Sequence, residues 1–225
     1  MKLYINDKYI HILKSEEMYL GTAPDQILDS LIKVQPHTLH GLVLLTASTK
    51  KDLHSLLNWI EFKKLPHLTT VICQTEDYED AKVYIKSQFR IIKAAGGLVR
   101  KGDQFLMMRR LGKWDLPKGK LDRGEKTKDA AVREVWEECS VEVRREEKLC
   151  TTWHTYIQEG RRILKKTTWY NMLCTDDRQM EPQYIENIDE LKWMTWQECQ
   201  EALKNSYRSI KGVFDSYQKN KEEVN

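Results

Sequence analysis

Residues Gly119–Val141 read GKLDRGEKTKDAAVREVWEECSV, and the second half of that stretch decides how the rest of the chain is read. A helix turns about 100° per residue, so Val132, Val135, Trp136 and Cys139 form one apolar stripe. Arg133, Glu134, Glu137 and Glu138 then share the opposite side. Carboxylates at i, i+3 and i+4 repel one another by a few tenths of a kcal/mol per pair. A divalent cation turns that repulsion into attraction, because hard cations favour carboxylate oxygens. The rival reading is a solvated acidic face, the usual duty of a charged helix surface.

The bulk composition narrows the choices around this helix. The chain has 225 residues, 40% hydrophobic and 32% charged, with 37 basic residues against 34 acidic ones and a formal net charge of +3. That near balance argues against a nucleic-acid partner, although local basic clusters can still hold phosphates. Cysteines at 73, 139, 150, 174 and 199 include no C-x-x-C pair, which argues against a disulfide scaffold or a zinc knuckle. The N-terminus lacks the apolar run of a signal peptide, and no segment approaches the roughly 18 apolar residues of a spanning helix. A cytoplasmic protein with no membrane partner is the expectation.

Two domains are expected, 1–89 and 90–225. In the first, KLYIN (2–6) and KYIHIL (8–13) read as strands joined by a tight Asn6-Asp7 turn. Pro24 opens a predicted helix to about Val34, with Ile27, Leu28, Leu31 and Ile32 inward. Gly41–Thr46 reads as a doubly buried strand. Ser48 or Thr49 caps a helix that buries Leu53, Leu56, Leu57, Ile60 and Phe62 and stops at Pro66. A strand over 68–73 and a helix over 77–88 complete a small α/β layer domain. It has no glycine-rich phosphate loop, and its histidines show no ligand spacing. In the second domain, strands are expected at 94–99, 104–108, 153–157, 163–173 and 191–194. Helices are expected at 196–205 and 210–217, ahead of a frayed tail.

Gly119, five residues, Glu125, seven residues and then Arg133-Glu134-Val135-Trp136-Glu137-Glu138 resembles the Nudix box, G-x5-E-x7-R-E-U-x-E-E-x-G-U, with U a bulky aliphatic. Six positions at about 7% each over about 200 starts match by accident with a chance of order 10⁻⁵. Trp114-Asp115-Leu116-Pro117-Lys118-Gly119 resembles the W-x-L-P-K-G run that leads into the box, and Ala94-Ala95-Gly96-Gly97 has the same family look. The resemblance covers about residues 90–205. It implies a MutT-like Nudix hydrolase with an α/β/α sandwich, so the whole chain falls in the mixed α/β (α+β) class. One position departs: Ser140 stands where the box has glycine, at a place where a helix end normally turns left-handed.

The resemblance also implies a mechanism and its residues. Mg²⁺ or Mn²⁺ neutralises phosphate charge and activates water. Glu134, Glu137 and Glu138 are the implied metal ligands, joined by the carbonyl of Lys118. Arg133 orients Glu125 through a salt bridge. The general base comes from the box or from Glu181 or Glu186, with Glu186 preferred. Arg109, Arg110, Lys118 and Lys120 precede the helix, and Arg161–Lys166 follows it on a hairpin. Strand alternation splits that last set, Arg162, Leu164 and Lys166 on one face and Arg161, Ile163 and Lys165 on the other. KKTTWY resembles a strand of diadenosine- and diphosphoinositol-polyphosphate hydrolases in which a lysine contacts phosphates, and Lys166 is the residue carried over. Trp114, Trp153, Tyr156 and Trp169 are expected mostly in core packing.

The expected substrate is a small molecule in which a nucleoside diphosphate is linked to another moiety, a dinucleoside polyphosphate first. Nucleoside triphosphates and ADP-ribose or nucleotide sugars are rivals, though ADP-ribose enzymes often place a proline some 15 residues past the box and none stands near Tyr156. A catalytically silent ligand sensor is the rival of another class, and the complete carboxylate set argues against it. Homodimerisation through the first domain stays open.

Overall fold

The computed structural model describes residues 1–63 and 65–224. By contact the chain divides into two compact units, 1–91 with 153–164, and 92–152 with 165–225. The hairpin tip Trp153–Leu164, which the sequence reading assigns to the second domain, thus clusters with the first.

In the first unit, β1 (Lys2–Ile5) and β2 (Lys8–Lys14) form the expected hairpin. Asn6 and Asp7 both take positive φ, the backbone that a two-residue turn between twisted strands demands. A β3 strand (Gln26–Leu28), β4 (Gly41–Leu45) and β5 (Leu68–Thr75) extend the sheet in the order β1-β2-β5-β4-β3, with β2, β5, β4 and β3 parallel. Helix α1 (Lys50–Phe62) starts at Thr49, whose hydroxyl and Asp52 make a reciprocal capping box. Helix α2 (Tyr78–Ser87) follows β5. Leu53, Leu56, Leu57 and Ile60 are buried as expected, whereas Phe62 is exposed.

The predicted helix over 24–34 is not formed. Gln26–Leu28 instead pairs in parallel with Val43–Leu45, and the following turn is tied down by Asp52, whose carboxylate accepts from the Leu31 N–H at 2.6 Å and the Ser30 hydroxyl at 2.8 Å. Ile27 and Ile32 are exposed while Leu28 and Leu31 pack on the core, so the four apolar residues do not share one buried helical face. A parallel partner strand and a remote carboxylate outweighed local periodicity.

The second unit is a layered sandwich. Its sheet contains β6 (Arg90–Lys101), β7 (Gln104–Arg110), β10 (Glu142–Gln158), β11 (Arg161–Asp176) and β12 (Ile188–Thr195) in the order β12-β7-β6-β11-β10. Short strands β8 (Lys113–Asp115) and β9 (Lys118–Lys120) pair with β7 and β6. Helix α3 (Thr127–Cys139) covers one face, packing Ala130, Ala131, Val135 and Cys139 against Ala95, Val99, Met108 and Met172. On the other face, α4 (Trp196–Ala202) and α5 (Arg208–Val224) pack Cys199, Val213 and Phe214 against Leu98, Phe105, Met107 and Trp169. Helix α5 continues to Val224, past the predicted end at 217, so the expected frayed tail is helical up to there. Among the described residues no helix is long and apolar enough to cross a membrane. All five cysteines are free.

The α3 stripe differs from the predicted one. Trp136 is exposed, while Glu134 and Glu138 are buried and Glu137 is exposed, so the carboxylates do not share one solvated side. Past its end, Ser140 sits at φ 52°, ψ 37°, the left-handed conformation a box glycine would take. A serine there costs about 1 kcal/mol relative to glycine. Ser140→Gly is therefore expected to stabilise the protein by about 1 kcal/mol, raising the thermal midpoint by about 2–4 °C. Thermal unfolding followed by circular dichroism checks this, and a lower midpoint contradicts it.

Candidate active site

The site is built where α3 leans on β9. Strand β9 pairs with β6 through Ala94↔Lys120, Ala95↔Gly119 and Gly96↔Lys118. Two glycines permit that approach. A Cβ on Gly96 would lie 2.6 Å from the Lys118 Cβ and 2.9 Å from the Trp169 ring, and one on Gly119 would overlap the Glu134 carboxylate. With Gly119 bare, Glu134 lies flat against the strand. One residue earlier, the Lys118 backbone N–H donates to Glu138 Oε2 at 2.8 Å.

Arg133 gathers the remaining carboxylates. Its Nε and Nη2 donate to the two oxygens of Glu125 at 2.9 and 2.8 Å, and Nη2 also reaches the Lys120 carbonyl at 3.1 Å. Its Nη1 donates to Glu134 at 2.9 Å and to Glu137 at 2.7 Å. The Arg133 guanidinium holds the Glu125 carboxyl down at about 2. Burial acts the other way on α3: it raises Glu134, and it pushes Glu138 up to about 7 despite the nearby Lys118 and Arg110 charges.

The last turn of α3 is capped from a distant loop. Ser140 N–H donates to the Trp136 carbonyl, Glu181 N–H to that of Cys139 and Gln183 N–H to that of Glu138. These bonds satisfy carbonyls that a helix end leaves open. They also hold the short helical turn Tyr184–Glu186 beside the carboxylates. Glu186 accepts from Arg110 Nη2 at 2.7 Å, and Arg110 Nη1 lies 3.6 Å from Glu138 Oε1. Arg110 thus links the preferred base candidate to the buried end of α3. Glu181 contributes its backbone to the cap, and its side chain is exposed.

The other cations are distributed unevenly. Arg109, exposed on β7, lies 3.7 Å from Glu190. The Lys118 ammonium turns to buried Asp115, 2.6 Å away. Arg162 pairs with Glu61 of α1 in the first unit and lies 4.6 Å over the Phe89 ring. On β11, alternation from core residues Trp169 and Tyr170 places Lys166 on the α3 face and Lys165 on the other. Burial, with like charge from Lys118, pulls Lys165 down to about 8, while Asp115 and Glu138 oppose the fall. Asp115 is a site residue that sequence reasoning passes over, and Lys165 stands in the predicted cation set but is not the lysine singled out from it. Asp115 stands three residues before Lys118, a visible pairing distance, but its burial is not visible in the sequence. Trp169 is core, its Nε1 bound to Thr152 at 2.8 Å, and Trp153 packs on the first unit's core.

The donor set suits a hard divalent cation. Glu134 and Glu138 are 8% and 3% exposed, and burying two carboxylates is costly without positive charge beside them. Among the described residues no three acidic, histidine or cysteine side chains form a ready-made cage. Arg133 holds Glu134 and Glu137, and a backbone N–H holds Glu138, so a cation would take over oxygens that these donors now occupy.

The sandwich and the carboxylate helix laid on a Lys-Gly strand together define a Nudix hydrolase domain. The NUDIX domain family model matches residues 91–214, more than half of the chain, and the chain belongs to that family. An RNA pyrophosphohydrolase of Cereibacter sphaeroides is 34% identical over 77 residues, a stretch that is 28% of this chain and 48% of that protein. The chain therefore spans about half the length of this curated relative. Among solved structures, a NUDIX hydrolase from Nitrosomonas europaea matches with 18% identity and a TM-score of 0.48, over 58% of this chain and 90% of that one. A C. elegans Ap4A hydrolase matches with 21% identity and a TM-score of 0.45, over 59% and 98%.

Proposed function

We propose that the second unit hydrolyses a phosphoanhydride bond in a nucleoside diphosphate linked to another moiety, with Mg²⁺ or Mn²⁺ as cofactor and a dinucleoside polyphosphate as the preferred substrate. The observation that carries this reading is the buried pair Glu134 and Glu138, pressed against the Lys118-Gly119 backbone. Glu134, Glu137, Glu138 and the Lys118 carbonyl would hold the cation. When bound, it supplies Lewis-acid polarisation of the phosphate and a water of lowered pKa. Arg133 keeps the α3 carboxylates in place through its bidentate bond to Glu125. Glu186 takes the proton of the attacking water, and Arg110 holds its carboxylate toward α3. Lys166 and Arg110, both on the α3 face, meet the remaining phosphates, since a long anionic chain engages several cations where a lone diphosphate does not. Arg109 lies by strand alternation on the opposite face, with Phe105 and Met107.

A second reading comes from the Cereibacter relative, which bears the name RNA pyrophosphohydrolase. The two readings share the site chemistry and differ in the group carried beyond the phosphates. The test is a panel of diadenosine tetraphosphate, nucleoside triphosphates, ADP-ribose, a diphosphoinositol and an RNA with a 5′-triphosphate, each with Mg²⁺ and with EDTA. The highest kcat/KM is expected for diadenosine tetraphosphate, with EDTA abolishing turnover. Preference for ADP-ribose or for the RNA overturns the substrate assignment, and turnover surviving EDTA overturns the metal role. Binding of a panel member without turnover of any would make this a sensor.

A further inference from the structure

The geometry assigns to Asp115 the task of holding the Lys118 ammonium away from Glu138, so that Lys118 meets this carboxylate only through its peptide N–H. The assignment rests on the metal reading above and adds a positioning residue outside the box. Asp115 is 2% exposed. Its Oδ1 accepts from the Leu116 N–H at 2.8 Å and its Oδ2 from Lys118 Nζ at 2.6 Å. Lys118 Nζ also lies 3.4 Å from the Leu116 carbonyl oxygen. The intervening Pro117 has a restricted φ, and its carbonyl accepts from the Gly97 N–H at 3.1 Å. The lysine is therefore looped back on its own backbone and pinned at both ends.

The reason for such a device lies in what surrounds it. Lys118 donates its N–H to Glu138 at 2.8 Å. An ammonium freed at this position sits on the same residue whose N–H already bonds Glu138 Oε2, and by turning to that carboxylate it would occupy oxygens that a cation needs. A buried ion pair adds little to stability compared with an apolar pair of similar size. Keeping an ammonium at this position without blocking the ligand does require a dedicated partner, and Asp115 is placed as that partner.

The test is Mn²⁺ titration of the full chain by electron paramagnetic resonance, with circular dichroism as the fold control. Asp115→Asn is expected to weaken Mn²⁺ binding by about 10–100-fold, the range for losing a group that supports a metal ligand. Asp115→Asn with Lys118→Met removes the competing ammonium and leaves the N–H, so binding should return to within about threefold of the wild type. A role in folding alone predicts no such rescue. Wild-type affinity in Asp115→Asn overturns the assignment, as does a double variant that folds and still binds about tenfold more weakly. If Asp115→Asn does not fold, the affinity of the double variant decides by the same limits. Glu138→Gln separates the two levels. If it binds Mn²⁺ as the wild type does, the metal reading fails; if it binds weakly while Asp115→Asn does not, only the Asp115 role fails.

Discussion

Glu138→Gln is expected to lower kcat by about 10³-fold while leaving the fold intact. The side chain is 3% exposed and accepts the Lys118 N–H at 2.8 Å, a bond that the carbonyl oxygen of glutamine can also accept. What is lost is the negative charge that would anchor the cation. Lewis-acid stabilisation is worth several kcal/mol, and about 4 kcal/mol corresponds to about three decades of rate. The same change should stabilise the metal-free protein. Burial raises the Glu138 pKa from its ordinary 4.5 to about 7, so the folded state holds its proton where the unfolded chain has already lost it. Stability therefore falls as pH rises from about 4.5 to about 7 and is not recovered above. At pH 8 the cost is of order 3 kcal/mol. In EDTA, Glu138→Gln should have a higher thermal midpoint than the wild type at pH 8, and the gap should close toward pH 4.5. A variant with full Mg²⁺-dependent turnover, or with no pH-dependent gap, would sink the assignment of Glu138 as a buried ligand.

Gly119→Ala should cost about 10²-fold in kcat with a small loss of stability. The added methyl would overlap the Glu134 carboxylate, which is the movable end of a side chain. The helix need not shift; the carboxylate must. A displacement near 1 Å of a reacting or positioning group is enough for a loss of about 10²-fold. Because Arg133 also binds Glu134 at 2.9 Å, the shift would pass to the Glu125 and Glu137 contacts. Steady-state kinetics with a thermal melt checks this. Wild-type kcat would show that Glu134 has room to spare, and unfolding would show that Gly119 serves packing alone.

The hairpin at Asn6-Asp7, the Thr49 cap and the strands at 94–99, 104–108, 163–173 and 191–194 are legible in the sequence, whereas residues 142–152 of β10, the short strands β8 and β9 and the left-handed turn at Ser140, where the glycine is missing, are not. The legible ones depend on a few adjacent residues whose own conformational preferences decide the outcome. The helix expected over 24–34 does not form because its apolar spacing satisfies two structures, and a parallel partner in β4 selects the strand. The α3 stripe departs from expectation for a related reason. Periodicity orders residues around a helix but does not say which neighbour covers which side.

What the sequence by itself determined is the chemistry of α3: Arg133 with three glutamates, preceded by Glu125 and Gly119 at box spacing. Helix geometry alone puts Arg133, Glu134, Glu137 and Glu138 on one element, while Glu125 and Gly119 lie before α3 and are legible only through their spacing to it. Only the tertiary structure decided that Glu134 and Glu138 are buried against β9 while Glu137 stays in solvent. It alone turned the Lys118 ammonium to Asp115, joined Arg110 to Glu186 and brought the Glu181–Gln183 backbone onto the end of α3. Those contacts join residues far apart along the chain or depend on burial, and burial is set by the fold as a whole.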